Sequence, residues 1–189
     1  LTFPILLRVM VYRFLISWNL VLFLLLSGNF FFGGEAQAAG VFKLIPQNKT
    51  VKVGEILSVT LKFDSGSETV KTVKASINFS PSLLSVETDG IVTSGTAVTS
   101  WTERIYSNQL GTVDLTGTVS TTGNDKTLAT IRFKTKAVGT AVISLNGESQ
   151  ILRSSDSQDI IDVADFVEGR YAVVTQLPNE QNQATPASE

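Results

Sequence analysis

From Ile56 to Phe63 every second side chain is apolar, with Leu57, Val59, Leu61 and Phe63 alternating with Ser58, Thr60 and Lys62. Successive residues of an extended strand point to opposite faces, so this run puts one face against a core and the other against water. The same division recurs along the chain. Val73, Ala75, Ile77 and Phe79 alternate with Thr72, Lys74, Ser76 and Asn78, and Val113, Leu115, Gly117 and Val119 alternate with Asp114, Thr116, Thr118 and Ser120. Ala129, Ile131 and Phe133 then stand against Thr130, Arg132 and Lys134, and Ala141, Ile143 and Leu145 repeat the pattern. No stretch after Gly40 sustains a helical period. Short half-apolar runs separated by Gly, Asn, Asp and Ser, without a βαβ rhythm, predict an all-β domain. The expected form is a jelly-roll-like sandwich of two antiparallel sheets and about nine strands, with a closed barrel as the other way to cover such faces.

The two ends read differently. Residues 1–38 carry Arg8 and Arg13 ahead of the apolar run Phe14 to Leu26, and then small residues at Ala36 and Ala38. This is the pattern of a secretory signal cleaved before Ala39, or of a signal anchor that holds the chain to a membrane if left uncleaved. The sandwich is expected over residues 39–175. Residues 176–189 are polar and rich in Gln, Asn, Pro and Ala, which reads as a disordered tail or a linker.

Composition removes several functions. The chain has no Cys and no His, so disulfide staples, the usual zinc sites and Ser-His-Asp or Cys-His nucleophilic chemistry are out of reach. Its net charge of −2 and its scattered lysines offer no clustered basic surface for a phosphate backbone, and no nucleic-acid partner is expected.

Three stretches, in order, carry a family resemblance. They are Val51-Lys-Val-Gly-Glu-Ile-Leu-Ser-Val-Thr-Leu, Val73-Lys-Ala-Ser-Ile-Asn-Phe-Ser-Pro-Ser-Leu-Leu-Ser-Val and Leu128-Ala-Thr-Ile-Arg-Phe-Lys-Thr-Lys-Ala-Val-Gly-Thr-Ala-Val-Ile-Ser-Leu. Together they resemble the cohesin domain, a β-sandwich family related to carbohydrate-binding modules. The resemblance runs from about Val41 to Val174 and takes in the turn Ser154 to Ile161. It departs from the family at Phe79-Ser80-Pro81, where an aromatic-Asp-Pro corner is usual.

The resemblance implies a secreted or surface-held bacterial module that receives a calcium-loaded dockerin module on one sheet face, within machinery that degrades polysaccharide. On this chain that face would comprise Thr72, Lys74, Ser76 and Asn78, with Thr102, Arg104, Tyr106, Asp114, Thr116 and Thr118 from neighbouring strands. Outward polar residues of any solvated sheet read the same way.

Other constellations are weaker. Related sugar-binding sandwiches stack glycans on exposed aromatics. Here a strictly extended strand sends Trp101 and Tyr106 to opposite faces, which leaves Trp101 as a single stacking candidate for a polysaccharide partner. Asp156, Asp159, Asp162 and Asp165 recur at every third position without the alternating ligands and turn glycine of a calcium loop, and read as a solvated acidic loop. No metal or cofactor is expected. Glu87, Glu103 and Asp114 show no spacing that brings two acids together for glycoside hydrolysis, so a non-catalytic module is expected, with a carbohydrate-binding module proper or a structural or adhesive surface sandwich as the other readings.

Overall fold

The alternating segments become strands where the alternation is longest. The computed structural model describes residues 40–162 and 164–177. Across them run β1 (Val41–Ile45), β2 (Asn48–Lys52), β3 (Ile56–Asp64), β4 (Val70–Phe79), β5 (Leu84–Val92), β6 (Val98–Ser107), β7 (Thr112–Thr121), β8 (Lys126–Thr135), β9 (Gly139–Leu145), β10 (Gln150–Arg153) and β11 (Gly169–Val174). The export segment expected at residues 1–38 and the tail from residue 178 onward lie outside the described residues.

A four-stranded sheet in the order β1-β3-β8-β5 packs on a seven-stranded sheet in the order β2-β11-β9-β4-β7-β6, in which β10 pairs with β4. The expected sandwich is present, with two differences. Among the described residues eleven strands replace about nine, because β1, β2 and β10 have five, five and four residues, too few to show a period. One pair is parallel rather than antiparallel, with Asn48 to Lys52 of β2 lying along Arg170 to Val174 of β11. A parallel pair needs a long connection, and nearly the whole domain lies between these two strands.

The inward residues of both sheets form one apolar core, in which Leu57, Leu61, Phe63, Val73, Leu115, Leu128 and Phe133 have no exposed surface. Phe79 of β4 meets Phe133 of β8 edge to face, with ring centroids 5.3 Å apart, so the two layers interlock at aromatic contact distance. Tyr171 on β11 is fully buried as well. Its hydroxyl donates to the Pro46 carbonyl at 2.7 Å, which answers its polar atom and ties the last strand to the β1–β2 corner.

Burial pushes the Tyr171 hydroxyl up from its usual value near 10 to about 12. The unfolded chain therefore releases this proton first as pH rises. The contribution is complete below about pH 10 and disappears between about pH 10 and 12. Denaturation at a series of pH values should show stability falling through that window, and Tyr171→Phe should flatten this fall. An unchanged slope in the variant would assign the alkaline loss to other groups.

On β4 two positions, Ala75 and Ser76, lack a strand partner on one edge. Beyond them β10 covers Val70 to Lys74 and β9 covers Ile77 to Phe79. At the gap, the Ser149 hydroxyl accepts from the Ser76 N–H at 3.0 Å and donates to the Ser76 carbonyl at 3.1 Å, while the Asn146 N–H donates to that same carbonyl at 2.9 Å. A single side chain thus stands in for a ladder residue. Ser149→Ala should cost about 1–3 kcal/mol, since it leaves a buried N–H unanswered. Urea denaturation of the variant measures this, and an effect below experimental error would mean that water replaces the hydroxyl.

Candidate protein-docking face

The outer surface of the larger sheet is built from cross-strand rows fixed by register. One row is Ser144, Asn78, Thr112 and Ser107, and the next is Ser76, Asp114 and Ile105. A third is Gln150, Lys74, Thr116 and Glu103, and a fourth is Leu152, Thr72, Thr118 and Ser100. Residues directly opposite on antiparallel strands share a face. The face is therefore broad and lined mostly by small hydroxyl and amide side chains, with a few charges near its middle.

Those charges are anchored. Lys74 pairs with Glu148 at 3.1 Å. Glu103 accepts the Thr116 hydroxyl at 3.2 Å, and Asp114 accepts the Ser76 hydroxyl at 2.6 Å. Ile105 stands out as an apolar side chain that is 56% exposed at the margin of this polar surface.

The structure brings together Thr72, Lys74, Asn78, Asp114, Thr116 and Thr118, as the alternation of β4 and β7 requires. Four other expected residues are placed differently. Ser76 is fully buried beneath its bonds to Asp114 and Ser149, so its hydroxyl is not a free surface group. Thr102 falls at a register shift between Trp101 and Glu103 and has no directly opposite residue. Beyond that bulge Arg104 pairs with Leu115 and Tyr106 with Val113, both core residues, so these two side chains belong to the other face of β6. Glu103 and Ile105 take their places on the outer face.

A bulge adds one residue to one strand and reverses the parity of everything after it. For the same reason Trp101 and Tyr106 share the inward side instead of facing opposite ways. Trp101 is partly buried against the core margin, with the Arg104 guanidinium 5.9 Å from its ring centroid. Across from it a Cβ on Gly117 would lie 3.4 Å from the Trp101 ring and 2.6 Å from Val98. The ring and Val98 thus close over a position that tolerates no side chain. Trp101 packs at the rim rather than standing free as a stacking platform.

The aspartates of the late loop serve the loop itself. Asp156 accepts two guanidinium nitrogens of Arg153, at 3.1 and 2.7 Å, and the Gln158 N–H at 3.0 Å; the guanidinium hydrogen bonds foremost hold its carboxyl at about 2. Asp159 accepts the Ile151 and Ile161 N–H groups, and Asp162 accepts that of Ala164. Among the described residues no group of three or more His, Cys, Asp or Glu is placed to hold a metal ion.

Sequence reasoning missed Ser100, Glu103, Ile105 and Ser107 on the outer face. The available signal was an inconsistency: strict alternation in β6 with Thr102, Arg104 and Tyr106 outward sends Glu103 toward the core.

Two packed sheets, one presenting a broad hydroxyl-lined face, define a β-sandwich domain. The Cohesin domain sequence model matches residues 42–170, and the chain belongs to the cohesin family. Its fold is similar to that of a cohesin from Clostridium acetobutylicum solved in solution, with a TM-score of 0.59 at 15% identity over 75% of this chain and 95% of that one. It is also similar to the third cohesin of ScaC from Acetivibrio cellulolyticus, solved with the ScaB dockerin, with a TM-score of 0.58 at 19% identity over 71% and 99% of the two chains. A cohesin module of a Clostridium perfringens family 33 glycoside hydrolase gives a TM-score of 0.55 at 11% identity over 72% and 97%. Among curated protein sequences, none matches the chain closely.

Proposed function

We propose that this chain is a non-catalytic docking module whose outer face on β4, β6 and β7 binds a protein partner of the dockerin type. The observation that carries this reading is the continuous set of cross-strand rows from Asn78 and Thr112 to Thr72 and Thr118, lined mostly by small polar side chains, in a chain of the cohesin family. The Acetivibrio cellulolyticus cohesin of the same fold was solved in complex with a dockerin. On such a face, affinity comes from a few anchors surrounded by near-neutral contacts that exclude water. Ile105 supplies an apolar anchor, and Lys74, Glu103 and Asp114 supply orientation. Thr72, Asn78, Thr116 and Thr118 complete the contact, while Thr102, Arg104 and Tyr106 lie at or behind its margin.

The same reading places the module outside a bacterial cell, on the strength of the Ala36-Gln37-Ala38 processing pattern. A role in polysaccharide degradation would follow from what the partner carries rather than from sugar binding by this domain.

Titration of the purified chain with dockerin modules from its own genome, with and without calcium, tests the proposal. Saturable calcium-dependent binding is the expected result. Retention on insoluble polysaccharide, lost in Trp101→Ala, would replace this reading with direct glycan binding.

A further inference from the structure

The turn from Asn146 to Ser149 joins β9 to β10 beside the docking face and holds the only Asn-Gly pair in the chain, Asn146-Gly147. Three features of this turn bear on its chemistry. Gly147 is exposed, and nothing lies within 4 Å of where a Cβ would sit, so the turn is open on that side. The Asn146 side-chain oxygen accepts the Glu148 N–H at 2.9 Å, which holds the carboxamide folded over the turn. That same N–H sits on the oxygen where negative charge builds when a nucleophile attacks the carboxamide carbon, and a preorganised donor at such a position lowers the barrier.

We propose that Asn146 is a spontaneous deamidation site whose product releases the Ser149 clasp on β4. The Gly147 backbone nitrogen gives its proton to water or hydroxide and bonds to the Asn146 side-chain carbon. The side-chain nitrogen takes a proton from water and leaves as ammonia, which closes a five-membered succinimide. Water then opens the ring at either carbonyl and leaves an aspartyl or an isoaspartyl residue at position 146. The balance is one amide and one water giving one acid and one ammonia, with no change of oxidation state.

Two consequences follow from where the turn sits. A new carboxylate appears two residues from Glu148, and the isoaspartyl product inserts an extra main-chain carbon into the turn. Asn146 N–H and Ser149 Oγ together answer the Ser76 peptide groups, so a longer turn pulls both away from β4. The domain then carries a clock that loosens the sheet next to Lys74 and Asp114 as the protein ages. This inference does not depend on the identity of any partner.

The test uses the full chain, incubated in mildly alkaline buffer and sampled over time. Trypsin cuts after Lys136 and Arg153, so the pair is recovered in the peptide Ala137 to Arg153. The expected result is amide-to-acid mass conversion at position 146 with isoaspartate shown by enzymatic methylation, slowed about tenfold in Gly147→Ala. Converted protein should also melt below fresh protein, whereas equally aged Gly147→Ala should not. The proposal is overturned if Asn146 stays intact in the folded chain while the free 137–153 peptide converts. It is equally overturned if full conversion leaves the melting midpoint unchanged.

Discussion

Ile105→Arg should weaken binding of the partner by at least about thirtyfold, or about 2 kcal/mol, while Tyr106→Ala leaves affinity within about threefold. The two residues are adjacent in sequence and comparably apolar, and Ile105 and Tyr106 are 56% and 39% exposed. What separates them is register, which sets Ile105 opposite Asp114 and Tyr106 opposite Val113. Asp114 belongs to the outer face and Val113 to the core, so only the first substitution puts a long charged side chain where the partner is to sit. The arginine itself is tolerated by the fold, because its guanidinium would lie across from a carboxylate. Calorimetric titration of both variants against a dockerin that binds the parent chain measures the contrast. If Tyr106→Ala proves the damaging change and Ile105→Arg is silent, the docking surface is not the outer face of β6 and β7.

The largest loss of stability is expected for Gly111→Val, at about 3–5 kcal/mol, from strained backbone and crowding together. Gly111 ends the β6–β7 turn at φ 72°, a left-handed conformation that a β-branched residue resists. Any Cβ there would also run into the Phe79 carbonyl oxygen and come within 2.9 Å of the Pro81 ring. Neither neighbour yields easily, since the Gly111 carbonyl accepts the Phe79 N–H at 2.7 Å and so fixes β4 to the turn. Gly123→Ala is the matched comparison, with φ 94° but nothing within 4 Å of the added carbon, and should cost only about 1–2 kcal/mol. Urea denaturation should show both as midpoint shifts at constant slope. Equal losses in the two variants would remove crowding against Phe79 from the account.

Much of the candidate face was legible because β4 and β7 alternate without interruption over Thr72 to Asn78 and Thr112 to Thr118, where the ladder runs regularly. In β6 the face was not legible. Its register against β7 shifts between Val98 and Ser100 and again between Trp101 and Glu103. Each shift is settled by what β7 offers, above all the bare Gly117 that receives Trp101 and Val98. Nothing in β6 itself reveals that partner, which lies on the next strand. Ser76 was placed on the right side, but its burial was not legible, and one of the groups that bond it, Ser149, is 73 positions away.

The polarity pattern written into this chain was enough to determine that it forms strands and that those strands bury one face in a shared apolar interior, whether as two sheets or as a barrel. Local alternation dictates these features because side-chain direction repeats every two residues whatever the neighbours are. Tertiary structure alone decided which side of β6 looks outward, that Ser149 completes β4, and that β2 runs parallel beside β11. Those choices depend on pairings between residues far apart in sequence, and a single extra residue in a ladder inverts every face beyond it.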